Sequence, residues 1–200
     1  MDMVKLVQDN GVTPVLVFDG CSVPIKKETD DERKKYLCCT MLLSRQREKS
    51  FAKGDVPVKR ITFEHYIPVI RKCIEKKIYY MIAPYEADGQ ISYLAKNRFV
   101  DLVIAEDTDY LVHGCEKLLT KLNSNGNGEL YIRSELFQSE SLGLQSFDDT
   151  MFRYWCILSK CDYLRNIRGV GIKRALEAVK QGKTREGIFQ CLSKYPIPES

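Results

Sequence analysis

The 200-residue chain is short of the residues that mark several common protein classes. It has two histidines, His65 and His113, and its eight cysteines match no paired-finger spacing, with Cys38-Cys39 adjacent and Cys156-x4-Cys161 too widely set. A zinc site built from these residues is not indicated. A chain of this length can bury a core without a disulfide scaffold, so the expectation is reduced thiols in an intracellular protein. No apolar run approaches the ~18 residues needed to cross a bilayer, and the start lacks the charged and apolar regions of a secretory signal. No membrane partner is expected. Internal repeats and low-complexity tracts are also missing.

Hydrophobic residues make up 44% and charged residues 29%, the mixture of a globular domain. The net charge of +4 conceals a pattern. Residues 24–77 hold 15 Lys/Arg against 8 Asp/Glu, residues 78–152 hold 5 against 12, and residues 153–194 hold 10 against 3. Two basic blocks thus flank an acidic centre, as in a protein that grips a polyanion on two surfaces. Charge alone equally fits helix faces that are simply solvated.

Apolar, β-branched runs over Thr13–Phe18, Ile78–Ala83 and Val100–Ala105 predict strands, with helices over Phe63–Lys76 and Ala87–Asn97 between them. Alternation of this kind predicts an α/β fold with a parallel, twisted sheet and flanking helices. Thr29-Asp-Asp-Glu32 reads as a capping box opening a basic helix whose narrow apolar stripe lets it project from the core until Lys53-Gly-Asp-Val-Pro57 breaks it. The Asn-Gly-rich run Asn123–Gly128 predicts a hairpin joining Leu118–Leu122 to Leu130–Arg133, and the pattern beyond Thr150 is helical. The division expected is an α/β core over 1–150, with a projecting basic segment over about 24–60, and a helical region over 151–200.

Acids follow three of the strand-like runs: Asp19 after Leu-Val-Phe, Glu86 and Asp88 after Met-Ile-Ala-Pro-Tyr, and Glu106, Asp107 and Asp109 after Val-Ile-Ala. In a parallel sheet the carboxyl ends of the strands share one crest, so these acids should converge. Carboxylates gathered there would repel unless protonated or neutralised by a divalent cation. Oxygen ligands without His or Cys favour Mg²⁺ or Mn²⁺, and two such ions suit phosphodiester hydrolysis. Each motif singly also fits a helix cap or a turn. Asp19-Gly-Cys-Ser lacks the second aspartate of an aspartyl-phosphate phosphatase, which demotes that alternative.

Arg168-Gly169-Val-Gly171-Ile-Lys173-Arg174 is a Gly-x-Gly turn that runs directly into a helix. Backbone N–H groups, the helix dipole and two cations would hold a phosphate there without reading base sequence. A plain helix–turn–helix corner is the competing explanation. Asp162, just before the hairpin, is either a further metal ligand or a turn cap. Lys26, Lys27, Arg33, Lys34 and Lys35 either meet a scissile phosphate or form a solvated face.

Taken in order, Val-Phe-Asp19-Gly, Ala-Pro-Tyr-Glu86-Ala-Asp88-Gly-Gln, Glu106-Asp107-Thr-Asp109 and Cys-Asp162-Tyr with Ile-Arg-Gly169-Val-Gly171 resemble the XPG/flap-endonuclease family of structure-specific 5′ nucleases over nearly the whole chain. Tyr85 and Cys156-Ile-Leu-Ser159 look closer to the exonuclease 1 branch than to flap endonucleases proper. The resemblance implies a PIN-like 5′-nuclease fold with a projecting helical arch and a helix–two-turn–helix element. It implies that Asp19, Glu86, Asp88, Asp107, Asp109 and Asp162 hold two Mg²⁺ ions, with Mn²⁺ as a substitute, and that Lys26 and Arg33 face the scissile phosphate. Arg168, Gly169, Gly171, Lys173 and Arg174 would hold duplex DNA, and Ser159, Asn166 and Val170 would hold K⁺. The implied activity is a 5′→3′ exodeoxyribonuclease and 5′-flap endonuclease acting in the nucleus on 5′ ends, nicks, gaps or flaps, in mismatch repair and recombination and with mismatch-repair proteins as partners.

Lys160 and Gly89 depart from the residues usual in the family, and the arch is short. The family's first strand with its aspartate, and the end of its nuclease core, are expected to be missing here. A fragment, a mispredicted gene model or a degenerate paralogue that binds DNA without cutting it is the alternative expectation.

Overall fold

The computed structural model of the protein describes residues 2–21, 23–26, 63–141 and 143–196. Helix α1 (Asp2–Asp9) ends at Asn10, whose side chain donates to the Leu6 carbonyl, and at Gly11, whose φ of 75° turns the chain towards strand β1 (Val15–Phe18). A 3-10 turn at Pro24–Lys26 follows. The expected basic arch lies outside the described residues beyond that turn, and Arg33 with it. Helix α2 (Phe63–Glu75), which accommodates Pro68, leads to β2 (Tyr79–Ile82), α3 (Ala87–Lys96), β3 (Val103–Ile104) and the single-turn α4 (Asp109–Val112). Strands β4 (Lys117–Thr120) and β5 (Glu129–Ile132) and the short α5 (Arg133–Leu136) precede the helices α6 (Asp149–Ser159), α7 (Ile172–Gly182) and α8 (Arg185–Leu192).

The α/β alternation and the parallel pairing are as predicted. Strand β1 runs parallel to β2 from Val15 opposite Tyr79 to Phe18 opposite Ile82, and β3 runs parallel to β4 through Val103–Leu118 and Ile104–Leu119. The Asn-Gly hairpin forms where predicted, with β4 antiparallel to β5. Among the described residues the strands form two separate sheets, β1-β2 and β3-β4-β5. Strand β3 is also shorter than its apolar run, pairing with β4 over two residues.

Two apolar clusters hold these elements. One joins Val103, Tyr110, Leu111, Cys115 and Leu118 between β3, α4 and β4. The other is larger and helical. Met151, Phe152 and Trp155 of α6 meet Ala175, Ala178 and Val179 of α7 and Ile188 and Leu192 of α8, at the i, i+3, i+4 spacing of helix faces. Trp155 keeps its ring buried by donating its indole N–H to the Ile172 carbonyl at 3.0 Å. Helix α6 begins where Asp148 accepts the Met151 N–H at 2.8 Å. Arg133 connects the two parts of the molecule: its Nε donates to the Leu111 carbonyl at 2.8 Å and its Nη2 to Asp149 at 2.7 Å. No helix among the described residues is long and apolar enough to cross a membrane.

Candidate metal centre and nucleic-acid grip

The chain beyond β1 lies hard against the chain beyond β2. Gly20 donates to the Tyr85 carbonyl at 2.6 Å and Cys21 to the Pro84 carbonyl at 3.1 Å. A Cβ on Gly20 would run into the Ala83 carbonyl, so glycine is needed at this position. The contact sets Asp19 over the start of α3, where its Oδ1 accepts the Ala87 N–H at 2.7 Å. Helix α3 has no cap from Glu86 at its own N-cap position, so an aspartate from another strand supplies one. Asp19 thereby stands beside Glu86 and Asp88, which flank Ala87 in the chain.

Glu86 is the centre of a second group. Lys26 approaches its Oε1 at 2.8 Å and Asp162 at 3.7 Å, bringing an acid from beyond α6 into the neighbourhood of one from beyond β2. The Lys26 side chain is 13% exposed, so this ion pair is largely removed from water. Tyr163 donates its hydroxyl to Glu86 Oε2 at 2.7 Å, and its ring lies 4.8 Å from the Lys26 ammonium. Burial opposes the Lys26 charge, but the hydrogen bond and charge of Glu86, helped by Tyr163, outweigh it and hold the ammonium pKa above its ordinary value.

The third group follows β3. Asp107 Oδ1 accepts the Asp109 N–H at 2.9 Å, an Asx turn that opens α4. Burial raises the Asp109 carboxyl pKa above its ordinary value, and the negative charges of Asp107, Asp162 and Asp88 add to this against the opposing effect of His113. Cys156 on α6 is pushed up to about 11, first by burial and then by Asp109. Tyr110, buried in the β3-side core, donates its hydroxyl to Asp88 Oδ1 at 2.5 Å. Burial raises its pKa first, and the Asp88 hydrogen bond and the charges of Asp88, Asp107 and Asp19 raise it further. Glu106 is exposed, and its charge acts on Lys121 of the hairpin.

The charges of Asp88, Asp107 and Asp162 thus act on Asp109, those of Asp19, Asp88 and Asp107 act on Tyr110, and Lys26 links Asp162 to Glu86. Among the described residues, however, no three acidic, histidine or cysteine side chains form a set that could hold one metal ion. The donor chemistry suits a hard divalent cation, being oxygen alone with several like charges gathered. In the present geometry the chain's own Lys26 supplies the positive charge between two of these acids.

Sequence reasoning missed the tyrosines. Tyr110 and Tyr163 each donate to a carboxylate, and burial, followed by the charge of Asp19 and a hydrogen bond to it, raises the pKa of Tyr66 on α2. The partners of Tyr110 and Tyr163 lie 22 and 77 positions away in the chain, so no local spacing reveals them.

At the other predicted surface, the loop between α6 and α7 turns at Gly169, whose φ of 85° is a left-handed conformation suited to glycine, and Gly171 stands at the N-cap of α7. Arg168, Lys173 and Arg174 are exposed around this turn. The Arg174 guanidinium donates to the Gly169 carbonyl and lies 5.7 Å from the Tyr195 ring, so it braces the loop. Ser159 donates to the Trp155 carbonyl at 2.7 Å, Asn166 is exposed on the loop and Val170 is buried in the helical core.

Comparison with known proteins fits this arrangement. The XPG I-region family model matches residues 77–162, which contain Glu86, Asp88, Asp107, Asp109 and Asp162. Exonuclease 1 of Xenopus laevis is 38% identical over 202 residues, covering 98% of this chain. The chain belongs to the XPG/flap-endonuclease family. It spans 27% of the length of the frog protein. Among solved members of the family fold, the catalytic core of Rad2 in complex with DNA substrate superposes with a TM-score of 0.70 at 22% identity, covering 96% of this chain and 55% of that one. The junction-resolving enzyme GEN1, solved with product DNA and Mg²⁺, gives a TM-score of 0.62 at 21% identity over 96% of this chain and 41% of its own. A GEN-1 structure with potassium gives 0.56 at 22% identity, over 95% of this chain and 37% of its own. These likenesses show the fold.

Proposed function

We propose that the chain carries the carboxylate site and duplex grip of a divalent-metal-dependent 5′→3′ exodeoxyribonuclease with 5′-flap activity, acting on 5′ ends, nicks, gaps or flaps in DNA repair. The observation that supports this reading is the gathering of acids from behind β1, β2, β3 and α6, with Lys26 of the chain itself between Glu86 and Asp162. Asp19, Glu86, Asp88, Asp107, Asp109 and Asp162 would hold two ions, Mg²⁺ or Mn²⁺. When bound, the ions supply activation of the attacking water and neutralisation of charge on the phosphodiester.

The chain's own residues bind, orient and neutralise. Lys26 is tied to Glu86 and stays protonated, so it would offer a positive charge to the scissile phosphate. Arg33 is proposed to share this task. The exposed cations Arg168 and Lys173 and the backbone of Gly169 and Gly171 would hold the phosphates of the duplex at the α7 N-terminus, with Arg174 steadying the loop. Ser159, Asn166 and Val170 would hold potassium beside this loop. Mismatch repair and recombination in the nucleus, with mismatch-repair proteins as partners, are proposed as the setting by likeness to Exonuclease 1.

A second reading has one observation in its favour: no described set of three acids closes on an ion, and Lys26 already neutralises Glu86. On that reading the chain binds duplex DNA without cutting it. Incubating the chain with a 5′-recessed duplex and Mg²⁺, beside Asp109→Ala, separates the two. Mg²⁺-dependent cleavage lost by at least a hundredfold in the variant supports the nuclease, by the scale on which single transition-state-stabilising groups act. Equal cleavage by both proteins sinks the role given to Asp109. Binding that falls steeply with salt, without cleavage, favours the second reading.

A further inference from the structure

We infer that Tyr110 is a positioning residue for Asp88, setting which carboxylate oxygen that acid presents to a divalent cation; this rests on the metal reading above. Helix α4 begins at Asp109, and successive helical residues project roughly 100° apart. Asp109 stands exposed at the crest, while the next side chain turns inward and packs among Val103, Leu111, Cys115 and Leu118 at 5% exposure. From that buried seat its hydroxyl reaches Asp88 Oδ1 in the first turn of α3. One ring thus ties the acid motif behind β2 to the acid motif behind β3.

The chemistry suits a phenol better than the alternatives. A lysine or arginine in this place would neutralise Asp88 and compete with a metal, and an apolar residue would leave the carboxylate free to rotate. A buried hydroxyl donates without adding charge, engages Oδ1 and leaves Oδ2 as the free oxygen. The apolar ring also resists displacement, because its packing locks the orientation of the hydroxyl. Tyr163 also donates to Glu86 from a more exposed position, but there Lys26 engages the other carboxylate oxygen.

The test is Mn²⁺ binding by the full chain, followed through the resonance of the free ion, in wild type, Y110F, D88N and the double variant, with metal-free unfolding as a check on folding. Removing a hydrogen-bond partner of a metal ligand typically weakens affinity about ten- to a hundredfold, and that loss is expected for Y110F. In the D88N background the same substitution should weaken binding no further, because the two residues act as one unit. An unchanged Mn²⁺ midpoint in folded Y110F overturns the inference, and so does a loss that adds in full to that of D88N. Should Y110F not fold, Y110L, apolar and smaller, carries the same comparison. Wild type that binds no Mn²⁺ overturns the metal reading and this inference with it, whereas a binding wild type beside an unaltered Y110F overturns this inference alone.

Discussion

Helices α6, α7 and α8 close around Phe152, Trp155, Val179 and Leu192, whereas no residue of β1 or β2 is fully buried and Tyr79, Tyr80 and Ile82 stand exposed. The acids beyond the strands are held by hydrogen bonds to a backbone N–H, a lysine and tyrosines. The larger apolar core thus lies among the helices, and most of the acids lie beyond the strands. The helical part lowers its free energy by burying apolar surface, and the strand part keeps like charges close together at a cost in free energy, as functional sites do. Substitutions in the first part should lower stability. Neutralising Asp109 in the second should raise it.

The largest effect is expected from Trp155→Ala. It leaves a cavity among three helices and strips the Ile172 carbonyl of its donor, costing about 3–5 kcal/mol in urea denaturation. Arg133→Ala should cost about 2 kcal/mol, mostly because the buried arginine side chain is lost and the Leu111 carbonyl keeps the Gly114 N–H as donor but loses the charged one. The Asp149 side chain of the ion pair is 64% exposed and adds little to that figure. Asp149→Ala should accordingly cost clearly less than Arg133→Ala, and equal costs would show that the joint between the two parts is electrostatic.

The smallest effect has the opposite sign. The pKa of Asp109 is raised by burial and by neighbouring acids, so the folded protein holds its proton more tightly than the unfolded chain does. Stability from this group is therefore lost as pH rises from the ordinary carboxyl value through the raised one. Metal-free Asp109→Asn should melt slightly above wild type at neutral pH, and the gap should vanish in acid, where both are uncharged at this position.

Much of this arrangement is legible in the sequence, because the signals are local. Asp19, Glu86 and Asp107 each follow an apolar run by a residue or a few, Asn123–Gly128 specifies its hairpin, and Met151, Phe152 and Trp155 declare a helix face. What escapes is set by the meeting of distant segments. Lys26 reads as a cation aimed at DNA, yet in the fold it lies against Glu86, sixty positions on. Asp19 and Asp107 do cap and turn the backbone, as isolated motifs of this kind often do, while still standing beside the other acids. Tyr110 looks like core and is core, and nothing in its neighbours' spacing shows that its hydroxyl ends on Asp88.

Thermal unfolding of wild type and Asp109→Asn, each with and without Mn²⁺ at neutral pH, tests most directly whether the crowded acids form a metal site. Like charges that await a cation predict a crossing. Without metal the variant melts higher, and with Mn²⁺ the wild type overtakes it, since a ligand that binds the folded state alone stabilises it by mass action. Equal shifts of both proteins by Mn²⁺, or none in either, would contradict a metal centre at these carboxylates.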